Sequence, residues 1–480
     1  GAGGHNIVNA LAGAYSEKVP LLVVSGGPGE EERKLGTLIH HQAKEIESQF
    51  RIFQELTCDA AIVDDPRTAP EIIDRVTRST WLNRRPGYIE IHRDMVQKTV
   101  EVSKEILEWD GVLPEQTSDK RKVLEAARDT AESFNRAKKP ALIVGIECYR
   151  YQLGREVIEL AEKMGAPVFT TVLSKGAFPM SHPLYMGVHV GPLSPPAIAK
   201  RVEEADFVVS LGTLLTDINL GTQTPQVARA KSIWALNNRV NVSFHTYTEV
   251  TLRDFVRALL EVDIKTHKEK VAYHDNLHDL KDADVKGPIK VAGILTELNR
   301  HLKGRNDLLV IAESGDALFA GLELRVESGM YLAQGFYASM GFGIPATIGA
   351  QIGTGLRPIV LCGDGGFQMT GQEISHAPRY GLNPIVILLN NGGWGIFRPI
   401  SDRPDVLALP NWPYTKMAEG WGGKGFRVRT LAEFRRALAE ADRTETFVLI
   451  EALIGYRDLS PISLKYIKAS GRRGLPGVKE

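Results

Sequence analysis

The chain has 480 residues, 43% hydrophobic and 24% charged, and its 58 Lys+Arg balance 58 Asp+Glu for a formal net charge of zero. At about 150 residues per domain this length implies roughly three globular domains, and the balanced charge leaves no bulk positive field to hold nucleic acid or an anionic membrane. The cysteines Cys58, Cys148 and Cys362 match neither a disulfide framework nor a zinc spacing, so a cytoplasmic protein is expected, and no apolar run reaches the roughly 18 residues of a membrane span.

Strand and helix patterns alternate, which predicts α/β architecture: three doubly wound parallel-sheet domains. The first, residues 1–105, has a helix near His5–Tyr15, a strand Pro20–Ser25, a loop ending in Leu38-Ile39-His40-His41, a helix Pro70–Leu82 and a strand Gly87–Ile91. The second, with its linker, spans 106–285. It has helices Arg121–Ala137, Gln152–Met164 and Pro196–Ala205, and strands Pro140–Gly145, Val168–Thr171, Phe207–Leu211 and Lys231–Leu236. Ile264–Pro288 is charged and His-rich and reads as an interdomain linker. The third, 286–480, runs through helix Ile289–His301, strand Asp307–Ala312, a Gly-rich helix region Gly335–Gly355, strand Pro358–Leu361, helix Gln368–Arg379 and strands Pro384–Leu389 and Phe447–Ala452.

The informative stretch is Pro358–Arg398. A strand runs into Cys362-Gly363-Asp364-Gly365-Gly366, a helix follows, and a second strand runs into Asn390-Asn391-Gly392-Gly393. A strand–helix–strand unit of this kind makes its two strands parallel through a right-handed crossover. Asp364 and Asn391 therefore meet at one sheet edge, where α/β folds bind ligands. A carboxylate and an amide oxygen are hard ligands suited to magnesium or calcium. The flanking glycines permit close approach, and a helix N-terminus presents N–H groups to an anion. Together these point to a metal-bridged diphosphate site, although either tripeptide alone reads as a plain turn.

These residues resemble the thiamine-diphosphate-binding motif of the 2-oxo acid decarboxylases. The likeness extends to Gly1-Ala2-Gly3-Gly4-His5-Asn6, to Leu38-Ile39-His40-His41-Gln42 and to Ala338-Ser339-Met340-Gly341-Phe342-Gly343. Gly365-Gly366-Phe367-Gln368-Met369-Thr370-Gly371 is similar to bacterial phenylpyruvate and indolepyruvate decarboxylases. The resemblance implies that the Asp364 and Asn391 side chains and the Gly393 carbonyl bind Mg2+, which holds thiamine diphosphate against Gly363, Gly365 and Gly366. Met340 would force the cofactor into a bent shape that brings its amino group to the reactive thiazolium carbon. Ala338 would offer that amino group a carbonyl. Core packing of Met340 is compatible with that role, since methionine fills irregular gaps and a wedge is also a packed side chain. The His40-His41 doublet, which on spacing alone is a loop pair, takes a proton-managing role by the resemblance.

The implied reaction is non-oxidative cleavage of a 2-oxo acid to an aldehyde and carbon dioxide. Yeast-type pyruvate decarboxylases carry a glutamate six residues after the metal-binding asparagine, and Phe397 stands there in this chain. With Ile400 it would form an apolar wall suited to phenylpyruvate or indole-3-pyruvate, the other reading being ordinary core packing. The family's cofactor-activating glutamate lies upstream of Gly1. The chain is therefore read as N-terminally truncated, with its first domain incomplete and apolar surface uncovered. The resemblance also implies a homodimer or homotetramer with active sites at the subunit interface. Two other functions stay open: a carboligase of the acetolactate synthase type, whose relatives bind flavin in the central domain, and a non-catalytic remnant that binds cofactor or dimerises. Gly212-Thr213-Leu214-Leu215-Thr216-Asp217 lacks a dinucleotide fingerprint.

Overall fold

The computed structural model describes residues 1–36, 38–113, 115–221, 231–277, 285–398, 401 and 403–471, with side chains placed to residue 468. It divides into two compact units, Gly1–Thr117 and Ser118–Glu480. No helix among the described residues is long and apolar enough to cross a membrane.

The first unit holds a three-stranded parallel sheet. Strands β1 (Leu22–Gly27), β2 (Asp59–Val63) and β3 (Gly87–His92) lie in the order β1-β3-β2. The fifteen-residue helix Ala69–Asn83 buries Ala69 and Val76 against this sheet. It stops at Arg84, which takes a left-handed conformation with φ 50°. Strand β1 lies at the sheet edge and leaves Leu22 and Val24 exposed. Both β2 and the helix Ser48–Glu55 escape the sequence pattern. Five residues of Asp59-Ala60-Ala61-Ile62-Val63 carry too short an apolar run to separate strand from loop.

The second unit carries two sheets. The seven-stranded one orders β10-β9-β8-β7-β4-β5-β6. Its strands are β4 (Pro140–Val144), β5 (Val168–Thr170), β6 (Tyr185–Val188), β7 (Phe207–Leu211), β8 (Ser232–Leu236), β9 (Arg239–Val242) and β10 (His245–Thr248). Strands β4 to β8 are parallel, while β9 and β10 pair antiparallel, which corrects the expectation of a purely parallel sheet. The β8–β9–β10 turns need only two residues each, so no crossover helix intervenes and the strands reverse. Helices Lys120–Arg136, Gly154–Met164 and Leu252–Glu261 pack Phe134, Leu160 and Phe255 into the core of this sheet.

The six-stranded sheet is wholly parallel. Its order is β12-β11-β13-β14-β16-β15, from β11 (Leu308–Ala312), β12 (Tyr331–Ala333), β13 (Arg357–Gly363), β14 (Ile385–Asn390), β15 (Lys424–Val428) and β16 (Val448–Leu453). The runs Ile359-Val360-Leu361-Cys362 and Ile385-Val386-Ile387-Leu388 are fully buried, as strands covered by helices on both faces must be. One face buries Ile359, Leu361, Ile385 and Ile387, and the other Val360, Cys362, Val386 and Leu388.

The helix expected over Gln368–Arg379 is broken into Asp364–Thr370, a 3-10 turn Gly371–Ser375 and His376–Arg379. Gly371 sits with Phe367 so close that a Cβ would fall 2.4 Å from the ring, and the chain turns there. The Ile264–Pro288 stretch is not a free linker. His267 and His274 donate backbone N–H groups to the carbonyls of Met164 and Met186. Asn276 donates through its side chain to Glu323 Oε1 at 2.7 Å. Residues 278–284 of that stretch lie outside the described residues.

Candidate active site

Because every strand of the six-stranded sheet is parallel, all of their C-terminal ends share one edge. Gly363 pairs with Leu389, so the residues that follow, Asp364 and Asn390-Asn391, leave adjacent strands side by side. Asp364 is 2% exposed. Its Oδ1 accepts the N–H of Gly365 at 2.9 Å and its Oδ2 accepts the N–H of Gly393 at 2.8 Å. Burial pushes the Asp364 carboxyl up from its ordinary value, and the Gly393 and Gly365 N–H groups pull it back down. The Arg398 charge also pulls it down, so this buried carboxylate is held by backbone N–H groups with one guanidinium acting on it from nearby.

The two asparagines divide their work. Asn390 turns inward, donating from Nδ2 to Glu451 Oε1 at 2.8 Å and accepting the Gly392 N–H at 3.1 Å. Glu451, fully buried on β16, also accepts from Arg427 Nε at 2.7 Å. Asn391 instead keeps a buried Oδ1 with no hydrogen-bond partner. A buried amide oxygen without a donor is costly unless something outside the protein fills the role. The Gly393 carbonyl accepts from the Gly395 N–H at 2.8 Å, which leaves its second lone pair. Carboxylate, orphaned amide oxygen and carbonyl make an all-oxygen donor set that fits Mg2+.

Two of the glycines owe their identity to packing as well. A Cβ on Gly365 would lie 2.5 Å from the Trp394 ring, and one on Gly366 would lie 2.7 Å from Glu313 Cγ. Gly363 ends β13 with open space where its Cβ would be. The Ala338–Gly341 turn follows β12 at the same sheet edge. Ala338 has φ 50° and Gly341 φ 90°. Met340 is 45% exposed. Phe397, at the end of the 3-10 turn Gly395–Phe397, is 47% exposed and is not a core residue. Ile400 lies outside the described residues.

His40 and His41 belong to the first unit, where both are exposed and their ring centroids stand 3.6 Å apart. His41 has φ 69°. Both line a cavity of about 340 Å³ together with Gly26, Gly27, Gln49 and Glu90. Glu90 is 1% exposed and accepts from Tyr88 Oη at 2.8 Å, Gln49 Nε2 at 3.3 Å and Arg33 Nη2 at 3.5 Å.

Sequence reasoning missed three buried charges. Glu90 sits in an apolar strand, where an isolated carboxylate is the available signal. Glu313 follows the apolar run of β11 at the ligand-binding edge, the same placement that singled out Asp364. Arg398 gave no signal. Its guanidinium is buried, lies 3.4 Å over the Tyr456 ring and donates from Nη1 to the carbonyls of Asn391 and Tyr456. It ties the Asn391 loop to the segment after β16.

Comparisons with known proteins agree with this layout. Residues 314–452 match the family described as "Thiamine pyrophosphate enzyme, C-terminal TPP binding domain", and residues 127–262 match "Thiamine pyrophosphate enzyme, central domain". The chain is 37% identical to an indole-3-pyruvate decarboxylase of Azospirillum brasilense over 479 residues, covering 98% of this chain and 86% of the relative. It is 29% identical to a pyruvate decarboxylase of Kluyveromyces lactis, covering 91% and 79% of the two chains. Among solved structures, a benzoylformate decarboxylase from Polynucleobacter necessarius superposes with TM-score 0.76 at 19% identity, over 96% of this chain and 86% of that one, a likeness of fold.

Proposed function

Because the chain belongs to the thiamine-diphosphate-dependent 2-oxo acid decarboxylase family, we propose that it decarboxylates an aromatic 2-oxo acid, phenylpyruvate or indole-3-pyruvate, at a site carrying Mg2+. It is a carboxy-lyase that releases carbon dioxide from a 2-oxo acid and leaves an aldehyde. Thiamine diphosphate supplies the carbon nucleophile and the electron sink when bound.

The observation that carries the site is the orphaned Asn391 Oδ1 beside the buried Asp364 carboxylate. Asp364 and Asn391, with the Gly393 carbonyl, would hold the metal, and Gly363, Gly365 and Gly366 would leave room for the diphosphate. The two Asp364 hydrogen bonds to Gly365 and Gly393 keep the loop shaped for this before any ligand arrives. Met340 would support the bound cofactor, and Ala338 would offer it a backbone carbonyl. His40 and His41 are exposed imidazoles, the side-chain type suited to delivering the proton that completes the aldehyde. Phe397 is half-exposed and would offer apolar surface to an aromatic substrate at the position where yeast-type pyruvate decarboxylases carry a glutamate.

The same reading divides the chain into a pyrimidine-binding domain at 1–105, a central domain with its linker at 106–285 and a diphosphate-binding domain at 286–480. It makes the protein a cytoplasmic homodimer or homotetramer. Three free cysteines support a reducing compartment. The test measures carbon dioxide release from phenylpyruvate, indole-3-pyruvate and pyruvate, with and without thiamine diphosphate and Mg2+. Metal-dependent release, highest with an aromatic acid, is expected. A preference for pyruvate overturns the substrate assignment, and release that needs no divalent metal overturns the metal site.

A further inference from the structure

We propose that Glu313 and Thr370 are positioning residues: together they fix both backbone groups of Gly341 and so set how far Met340 projects toward the cofactor. The proposal rests on the reading of Met340 as the side chain beneath thiamine diphosphate.

The geometry is specific. Glu313 is fully buried, one residue beyond the end of β11. Its Oε1 accepts the Gly341 N–H at 3.1 Å and the Ser314 N–H at 2.8 Å, and its Oε2 accepts the Gly343 N–H at 2.7 Å. The Ser314 hydroxyl donates to Oε1 at 3.2 Å. The other side of Gly341 is held from a different element. Thr370, the last residue of the helix that begins at Asp364, donates its hydroxyl to the Gly341 carbonyl at 2.7 Å. Gly341 is thus fixed through its N–H by the end of one strand and through its carbonyl by the end of the helix that carries Asp364.

No other residue type fits between these anchors. Gly341 has φ 90°, and a Cβ there would lie 2.8 Å from Thr370 Cγ2. The upstream end of the turn is tied too, since Gln334 Oε1 accepts from the Ser339 N–H at 3.0 Å and its hydroxyl at 2.8 Å. Every polar attachment of this turn goes to its backbone or to Ser339, while the Met340 side chain stands half-exposed. A backbone held so closely beneath a half-exposed apolar side chain is built to present that side chain at a fixed height, as a preorganised site requires.

Glu313 also couples the turn to the diphosphate loop. Gly366 has no Cβ, and one there would fall 2.7 Å from Glu313 Cγ, so the carboxylate stem lies directly against the first turn of the Asp364 helix. The same two residues therefore hold the Met340 turn in register with the metal-binding loop.

The experiment uses the full chain with Mg2+ and thiamine diphosphate, and the variants Glu313→Gln, Thr370→Val, Met340→Ala and the double variant Thr370→Val/Met340→Ala. Two quantities are read: cofactor affinity by titration calorimetry, and the rate at which the thiazolium C2 proton exchanges for deuterium, by acid quench and NMR. Expected is unchanged affinity with exchange slowed roughly tenfold to a hundredfold in each single variant, the scale of a misplacement near 1 Å. The double variant should exchange no more slowly than Met340→Ala alone, because Thr370 acts through Met340. Should Glu313→Gln fail to fold, the near-isosteric Thr370→Val decides. Exchange at the wild-type rate in Thr370→Val, with Met340→Ala slowed, overturns this proposal and leaves the site reading intact. A multiplicative double variant, or affinity falling in step with exchange, also overturns it. Wild-type exchange in Met340→Ala overturns the site reading itself.

Discussion

Asp364→Asn is the sharpest probe of the proposed metal site. The shape is conserved, but one of the two oxygens that now accept the Gly365 and Gly393 N–H groups becomes an NH2 facing a donor. Losing one charge-assisted bond costs about 2 kcal/mol. Removing a buried negative charge offsets much of that, so the unliganded protein should melt close to the wild type. The liganded comparison is where the variants part. A ligand at about 100 times its Kd stabilises the native state by about 2.7 kcal/mol. For a unit as large as Ser118–Glu480 this is worth about 3 °C in Tm on average unfolding entropies. The assay is a thermal melt with neither ligand, with each alone, and with Mg2+ and thiamine diphosphate together. Wild type should shift only with both present, and Asp364→Asn should not shift at all. A full shift in Asp364→Asn would refute the assignment of the carboxylate as a metal ligand.

Phe397→Glu should lower kcat/KM for phenylpyruvate at least tenfold, about 1.4 kcal/mol or more, while leaving pyruvate less affected; equal losses on both would remove the apolar-wall argument. Gly365→Ala puts a methyl where the Trp394 ring stands and displaces the Asn391–Trp394 loop, so cofactor affinity in calorimetry should fall while circular dichroism stays native; unchanged affinity would show that the loop adjusts freely. Lys175 is 3% exposed, and burial pulls its pKa down to about 7, Glu323 and Asp275 pulling weakly the other way. Its folded value lies below the unfolded one, so the unfolded chain binds the extra proton between about pH 7 and 10, and stability from this group rises with pH across that window. Denaturant melts should show the wild type gaining roughly 3 kcal/mol on Lys175→Met between pH 7 and 9.5; a difference that does not change with pH would refute the buried-amine account.

The sequence alone determined the elements with long, one-sided patterns. Helix 120–136 and strand 207–211 were legible because apolar periodicity directly records which side of an element is covered. It also determined that Asp364 and Asn391 share an edge, since a right-handed crossover between consecutive parallel strands allows no other placement. Short strands such as β12, β15 and the β9–β10 hairpin were not legible. Three to five residues at a sheet margin, Lys424-Gly425-Phe426-Arg427-Val428 among them, carry neither alternation nor a continuous apolar run.

Only the tertiary structure decided what surrounds the chemistry. That Asn390 is satisfied by Glu451 while Asn391 Oδ1 is left without a partner depends on β16 lying next to β14. The sequence places those strands far apart and says nothing of their neighbourhood. The exposure of Met340 and Phe397 and the convergence of Glu313 and Thr370 on Gly341 are of the same kind. A pattern along one chain segment reports its own burial, but a site assembled from the ends of several strands is fixed by sheet order, which is a property of the packed molecule.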